Sequence, residues 1–219
     1  IDNLRYDQWK SIEPYVIENC TITTDILYSS ILPTTTQYAR NSIFSGLSPL
    51  ELKNTHYNYW VSEIDEGGKN KYEDELLRNQ LLRIGKKIKH KYFKVSNSKE
   101  GNLFYDRLNN EKLNDLTVLV YNFVDMMSHA KKDVKFIKEL TQTDQAYREL
   151  TKSWYKNSKL NDIIKKGKDL GFKIIITSDH GTINVDKPAL ISGDKEISNN
   201  LRYKTARQVH SKKKEVINL

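Results

Sequence analysis

Three acidic residues follow directly on stretches that read as buried strands. Asp2 follows Ile1, Asp125 follows the apolar run 116–124 (LTVLVYNFV), and Asp179-His180 follows 172–178 (FKIIITS). In open α/β sheets ligands gather at the carboxyl ends of the strands, so these side chains are expected to converge. Carboxylates brought together in a buried place repel one another unless a cation joins them. Asp125 and His129 are four residues apart and share one face of a helical turn. A mixture of carboxylate and imidazole suits zinc, with manganese as the alternative. Each pair alone is a weak signal, because a solvated or capping pair is its ordinary reading.

A second kind of chemistry is written in Pro33-Thr34-Thr35-Thr36, which opens a helical stretch. A hydroxyl at a helix N-terminus stands beside free backbone N–H groups and the positive end of the dipole, which attract phosphate. A metal next to that hydroxyl would make it a nucleophile. An isolated threonine there is more simply an N-cap.

The elements that must position these groups follow from pattern. Ile1 reads as the last residue of a buried strand whose body lies upstream. Residues 5–18 read as a helix, 21–32 as extended structure, and 37–45 as a helix ended by Gly46 and Pro49. Residues 72–87 carry Leu76, Leu77, Leu81 and Ile84 at helical spacing. Runs 116–124 and 172–177 suit strands buried on both faces of a parallel sheet. The stretch 131–170 between them is mostly helical, broken near 156–159 and capped by Gly171, which makes a βαβ unit. The expectation is one α/β domain over 1–219, with a small cap or insertion at about 50–112.

Bulk properties narrow the class. The formal charge of +8 admits nucleic acid, an anionic surface or a phosphorylated substrate as partner. Lysines crowd 86–99 around Tyr92 and Phe93, and recur at Lys212, Lys213 and Lys214; a solvated basic face is the simpler reading. The one cysteine, Cys20, allows no intrachain disulfide, which fits a reducing, cytoplasmic compartment. No apolar run approaches a membrane helix in length, so no membrane partner is expected.

Taken in order, Asp2, Pro-Thr-x-Thr with Gly46-Leu47-Ser48-Pro49, Asp125-x-x-x-His129 and Thr177-Ser178-Asp179-His180-Gly181 resemble the alkaline phosphatase superfamily. The wording IDNLRYDQWK, ILPTTTQYARNSIFSGLSP and TSDHG is similar to a PglZ domain, and within that group to the effector domain of PorX-type response regulators. The resemblance runs from Asp2 to about Lys204. It implies a three-layer α/β fold with a mostly parallel central sheet, and two Zn2+ (or Mn2+) in a phosphodiesterase or phosphatase. It places the nucleophile at Thr36. One ion would be held by Asp2, Asp179, His180 and Thr36. The other would be held by Asp125, His129 and a later histidine, expected beyond Leu219, with His210 the less favoured choice. Asn58, with Asn54 near the same spacing, and Arg202 and Lys204 would contact substrate; Arg40 reads more simply as a surface salt bridge. The implied substrate is a small phosphorylated molecule, of nucleotide or oligonucleotide type. The resemblance also implies an upstream receiver domain, is compatible with a homodimer, and leaves a signalling or scaffold module with vestigial activity as the alternative.

Overall fold

The computed structural model describes residues 1–62, 67–185, 187–198, 200–211 and 216. Its center is a parallel pair of strands, β1 (His90–Val95) and β2 (Leu116–Tyr121), in register from His90 opposite Leu116 to Val95 opposite Tyr121. A parallel pair needs a crossover. The connection is a helix, Ser98–Arg107, whose N-cap Asn97 accepts from the Glu100 N–H, followed by the 3-10 segment Leu108–Leu113. Side chains alternate along β2 as a period of two requires. Leu119 and Tyr121 join one apolar cluster, with Ile12, Val16, Phe104, Tyr155, Leu160 and Ile164. Val118 and Val120 join the other, with Phe44, Leu52, Leu76, Leu77 and Leu81. Helices therefore cover both faces of the strand pair.

The helices, in chain order, are α1 (Tyr6–Ile17), α2 (Thr36–Ser45), α3 (Pro49–Thr55), α4 (Glu73–Arg83), α5 (Ser98–Arg107), α6 (Phe123–Asp133), α7 (Lys135–Leu140), α8 (Asp144–Asn157) and α9 (Lys159–Asp169). α1 packs on α8, α2 on α4, and α5 on α9. Gly46, at φ 61°, closes α2 in the left-handed conformation that favours glycine. Three residues later Pro49 starts α3, under a capping box of Ser48 and Glu51. The expected break near 156–159 falls at Ser158, between α8 and α9.

Two expectations are corrected, and the solvated lysine face of 86–99 holds. The run 116–124 is strand only to Tyr121; Phe123 already belongs to α6, which puts Asp125 in the first turn of a helix. The lysine-rich stretch 86–99 contains strand β1: Tyr92 and Phe93 pack inward, Val95 is buried, and Lys89, Lys91 and Lys94 stay exposed. Lys212, Lys213 and Lys214 lie outside the described residues.

The second correction concerns 172–177, which joins no ladder among the described residues. A cavity of about 420 Å³ lies between this segment and β2, lined by Val118, Val120, Ile174 and Ile176 among others. An apolar run supplies propensity, but a strand forms only where a neighbour takes its backbone groups. At the carboxyl end the two segments are bridged. The Ile1 nitrogen donates to Thr177 O at 2.8 Å, and the Asp2 N–H donates to Tyr121 O at 3.0 Å. The start of the chain thus lies between the two ends and holds Asp2 beside Asp179. A second, antiparallel pair, β3 (Ser192–Gly193) and β4 (Val209–His210), lies in the C-terminal part. No helix among the described residues is long and apolar enough to cross a membrane.

Candidate metal centre

Four polar side chains from three parts of the chain meet at one point. Asp2 comes from the start of the chain, Thr36 from the first position of α2, and Asp179 and His180 from the end of the 172–178 segment. His180 Nε2 lies 2.9 Å from Thr36 Oγ1, 3.6 Å from Asp2 Oδ1 and 3.8 Å from Asp179 Oδ2. The ligand atoms of Asp2, Asp179 and His180 all fall within 4.8 Å of one another, and the three residues are buried.

The hydrogen bonds decide which oxygens are left over. Asp2 Oδ2 accepts from Arg40 Nη1 at 2.6 Å. Asp179 Oδ1 accepts from the backbone N–H of Asn3 and of His180. Asp2 Oδ1 and Asp179 Oδ2 are buried and have no hydrogen-bond partner among the described residues. Buried oxygens without a partner are costly. These two belong to carboxylates and face the same imidazole nitrogen, so the residues fit a divalent cation.

Electrostatics agree. Burial, and then the neighbouring Asp179, push the Asp2 carboxyl up from its ordinary 3.8 to about 7, against the pull of Arg40. Burial pushes His180 below its ordinary value, toward the neutral form a metal ligand needs.

Thr36 is placed by the backbone around it. Thr35 is the N-cap, and the first helical bonds run from Tyr38 and Ala39 N–H to Thr35 O. Asn70 Nδ2 donates to Thr36 O and to Asn41 Oδ1, tying the helix start to the loop before α4. Arg202 lies at the same cluster: it contacts Thr34 O, His180 Nδ1 at 3.2 Å and Thr182 Oγ1 at 2.8 Å.

The other expected ligands are arranged differently. Asp125 and His129 share one face of α6, with Oδ2 and Nε2 3.4 Å apart, and His129 is largely exposed. Among the described residues no third metal-binding side chain closes around this pair. His210 is exposed on β4 and is not part of the group of three. Asn58 is exposed in the turn Tyr57–Tyr59. Lys204 Nζ donates to Ser198 O and braces its own loop.

One residue at the centre, Arg40, is read from the sequence as a surface ion pair, and others are not singled out. Asn3, at φ 62°, is one: its Nδ2 donates to Asp125 Oδ1 at 3.3 Å while its N–H donates to Asp179 Oδ1. It links the two halves of the site, and only its place beside Asp2 could have hinted at it. Arg40 is buried, not a surface ion pair. Its position four residues after Thr36 was the available signal. Glu73 and Tyr92, which hold Arg40, carry no sequence signal at all.

A buried Asp-Asp-His cluster thus stands beside the hydroxyl at the start of α2, in an α/β fold. The family described as the BREX system PglZ alkaline phosphatase-like domain matches residues 1–218, and the chain belongs to that family. No curated protein matches the chain.

Proposed function

We propose that this chain is a phosphoric ester hydrolase that uses Thr36 as nucleophile and a divalent cation, zinc first and manganese second, held by Asp2, Asp179 and His180. The observation that carries the reading is the pair of unpartnered carboxylate oxygens, Asp2 Oδ1 and Asp179 Oδ2, facing His180 Nε2 next to Thr36 Oγ1. When bound, the cation would lower the pKa of the adjacent hydroxyl and offset charge on the phosphoryl group. Thr36 Oγ1 attacks phosphorus, a P–O bond to the threonine forms, the bond to the leaving oxygen breaks, and the hydroxyl proton passes to solvent. Water then hydrolyses the phosphothreonine. The backbone N–H groups of Thr36 and Gln37 open a ten-residue helix and would donate to the phosphoryl oxygens. Arg202, which contacts His180 and Thr182, would pair with a substrate phosphate. Asp125 and His129, 3.4 Å apart, would supply two ligands for a second ion.

The substrate class we favour is a nucleotide-type phosphodiester, and the setting a bacterial signalling regulator. The test is hydrolysis of a panel of chromogenic mono- and diesters. Thr36→Ala should abolish turnover, by several orders of magnitude for a covalent nucleophile, and Thr36→Ser should keep part of it. Thr34→Ala and Thr35→Ala should keep turnover near the parent. Full activity in Thr36→Ala would remove the covalent mechanism.

A further inference from the structure

Three buried carboxylates, Asp2, Asp179 and Glu73, lie around one buried guanidinium, that of Arg40. The fork of Arg40 is divided. Nε donates to Glu73 Oε1 at 2.5 Å and Nη1 to Asp2 Oδ2 at 2.6 Å. Nη1 stays 3.8 Å from Asp179 Oδ2, beyond hydrogen-bond reach. The remaining oxygen of Glu73 accepts from the Tyr92 hydroxyl. A continuous chain therefore runs from β1 through α4 and α2 to Asp2: Tyr92, Glu73, Arg40, Asp2.

Charge balance gives this chain a purpose. Glu73 cancels Arg40, which leaves Asp2 and Asp179 with a net charge of about minus two, the amount one divalent cation offsets. Geometry gives it a second. With Oδ2 taken by Arg40, Asp2 can offer only Oδ1, the oxygen that faces His180 Nε2. A lysine has donors enough for both carboxylates but lacks the rigid planar fork that fixes where each is held.

We propose that Arg40, locked by Glu73 and Tyr92, is the positioning residue of the metal centre. It fixes Asp2 as a one-oxygen ligand, and its pairing with Glu73 preserves the charge that selects a divalent ion. This rests on the metal reading given above. Partners of metal ligands commonly govern affinity by 10- to 100-fold.

The experiment is calorimetric titration of chelator-stripped protein with Zn2+, with circular dichroism to verify the fold. Wild type should bind. Glu73→Gln leaves Arg40 uncompensated and should weaken binding by about 10- to 100-fold. Arg40→Lys keeps the charge but loses the fork, and should also bind more weakly. Tyr92→Phe keeps the Arg40–Glu73 pair, is the mildest change, and should cost a several-fold loss. If Glu73→Gln does not fold, Tyr92→Phe and Arg40→Lys decide. Zn2+ affinity equal to wild type in the folded variants would overturn the positioning role and leave the metal reading standing. A wild-type protein that takes up no Zn2+ would overturn both.

Discussion

Asp179→Asn should make the metal-free protein more stable and the metal-loaded protein less so. The substitution keeps Oδ1, which accepts from the N–H groups of Asn3 and His180. It replaces the unpartnered Oδ2 with an NH2 group, a donor close to the equally unpartnered Asp2 Oδ1. The magnitude follows from Asp2. A rise from 3.8 to about 7, at about 1.4 kcal/mol per pH unit, makes ionised Asp2 cost about 4 kcal/mol in the metal-free fold. Burial is the larger cause and Asp179 the second, so relieving Asp179 should return about 1–2 kcal/mol, or roughly 2–8 °C in Tm for a domain of this size. The sign with pH is set by a raised carboxyl. Its contribution to stability is fully present below pH 3.8 and is lost as pH rises to about 7. The gain from Asp179→Asn should therefore appear near and above neutrality and fade toward pH 4. With Zn2+ at a hundredfold excess over Kd, wild type should gain about 2.7 kcal/mol, roughly 5–11 °C, and the variant little of it. The assay is thermal denaturation from pH 4 to 8, with chelator and with Zn2+. A variant that is less stable in chelator yet keeps the full Zn2+ shift would refute the reasoning.

Asp7 provides a test of the opposite sign. Hydrogen bonds from Arg5 hold its carboxyl down to about 2, so its contribution is present above pH 3.8 and is lost as pH falls toward 2. Asp7→Asn should flatten the acid limb of an unfolding titration in that window, and an unchanged limb would count against the Arg5–Asp7 pairing. Thr35 is the N-cap residue of α2, but its buried hydroxyl has no hydrogen-bond partner among the described residues. Thr35→Val should therefore change urea stability by less than about 1 kcal/mol, and a loss of several kcal/mol would show that the hydroxyl is bonded. Replacing the exposed Lys87, Lys89 and Lys91 by Gln should leave hydrolysis of a small chromogenic diester unchanged. If an oligonucleotide is the substrate, its binding alone should weaken and lose salt dependence.

Much of the site was legible in the chain because its parts are local signals. A hydroxyl placed next to a helix start, Asp and His four apart, and Asp-His at the end of an apolar run each follow from periodicity and residue chemistry. Thr36 opens α2, Asp125 and His129 share one face of α6, and Asp179 with His180 follows the apolar run 172–178. The helix breaks at Gly46 and Ser158 were equally local, since caps act within a turn.

The tertiary structure decided what depends on partners distant in sequence. The run 172–177 has the composition of a strand, yet composition cannot supply a neighbour for its backbone groups. The lysines around Tyr92 and Phe93 form the solvated face their charge suggests, but only pairing with β2 makes the stretch a strand whose two aromatic side chains pack into the apolar clusters. Arg40 looked like a surface residue until α2 packed on α4 and put Glu73 and Asp2 on either side of its guanidinium. A buried charge is stable only among its counter-charges, and those come from residues 2, 73 and 179, a set that only the folded chain brings together.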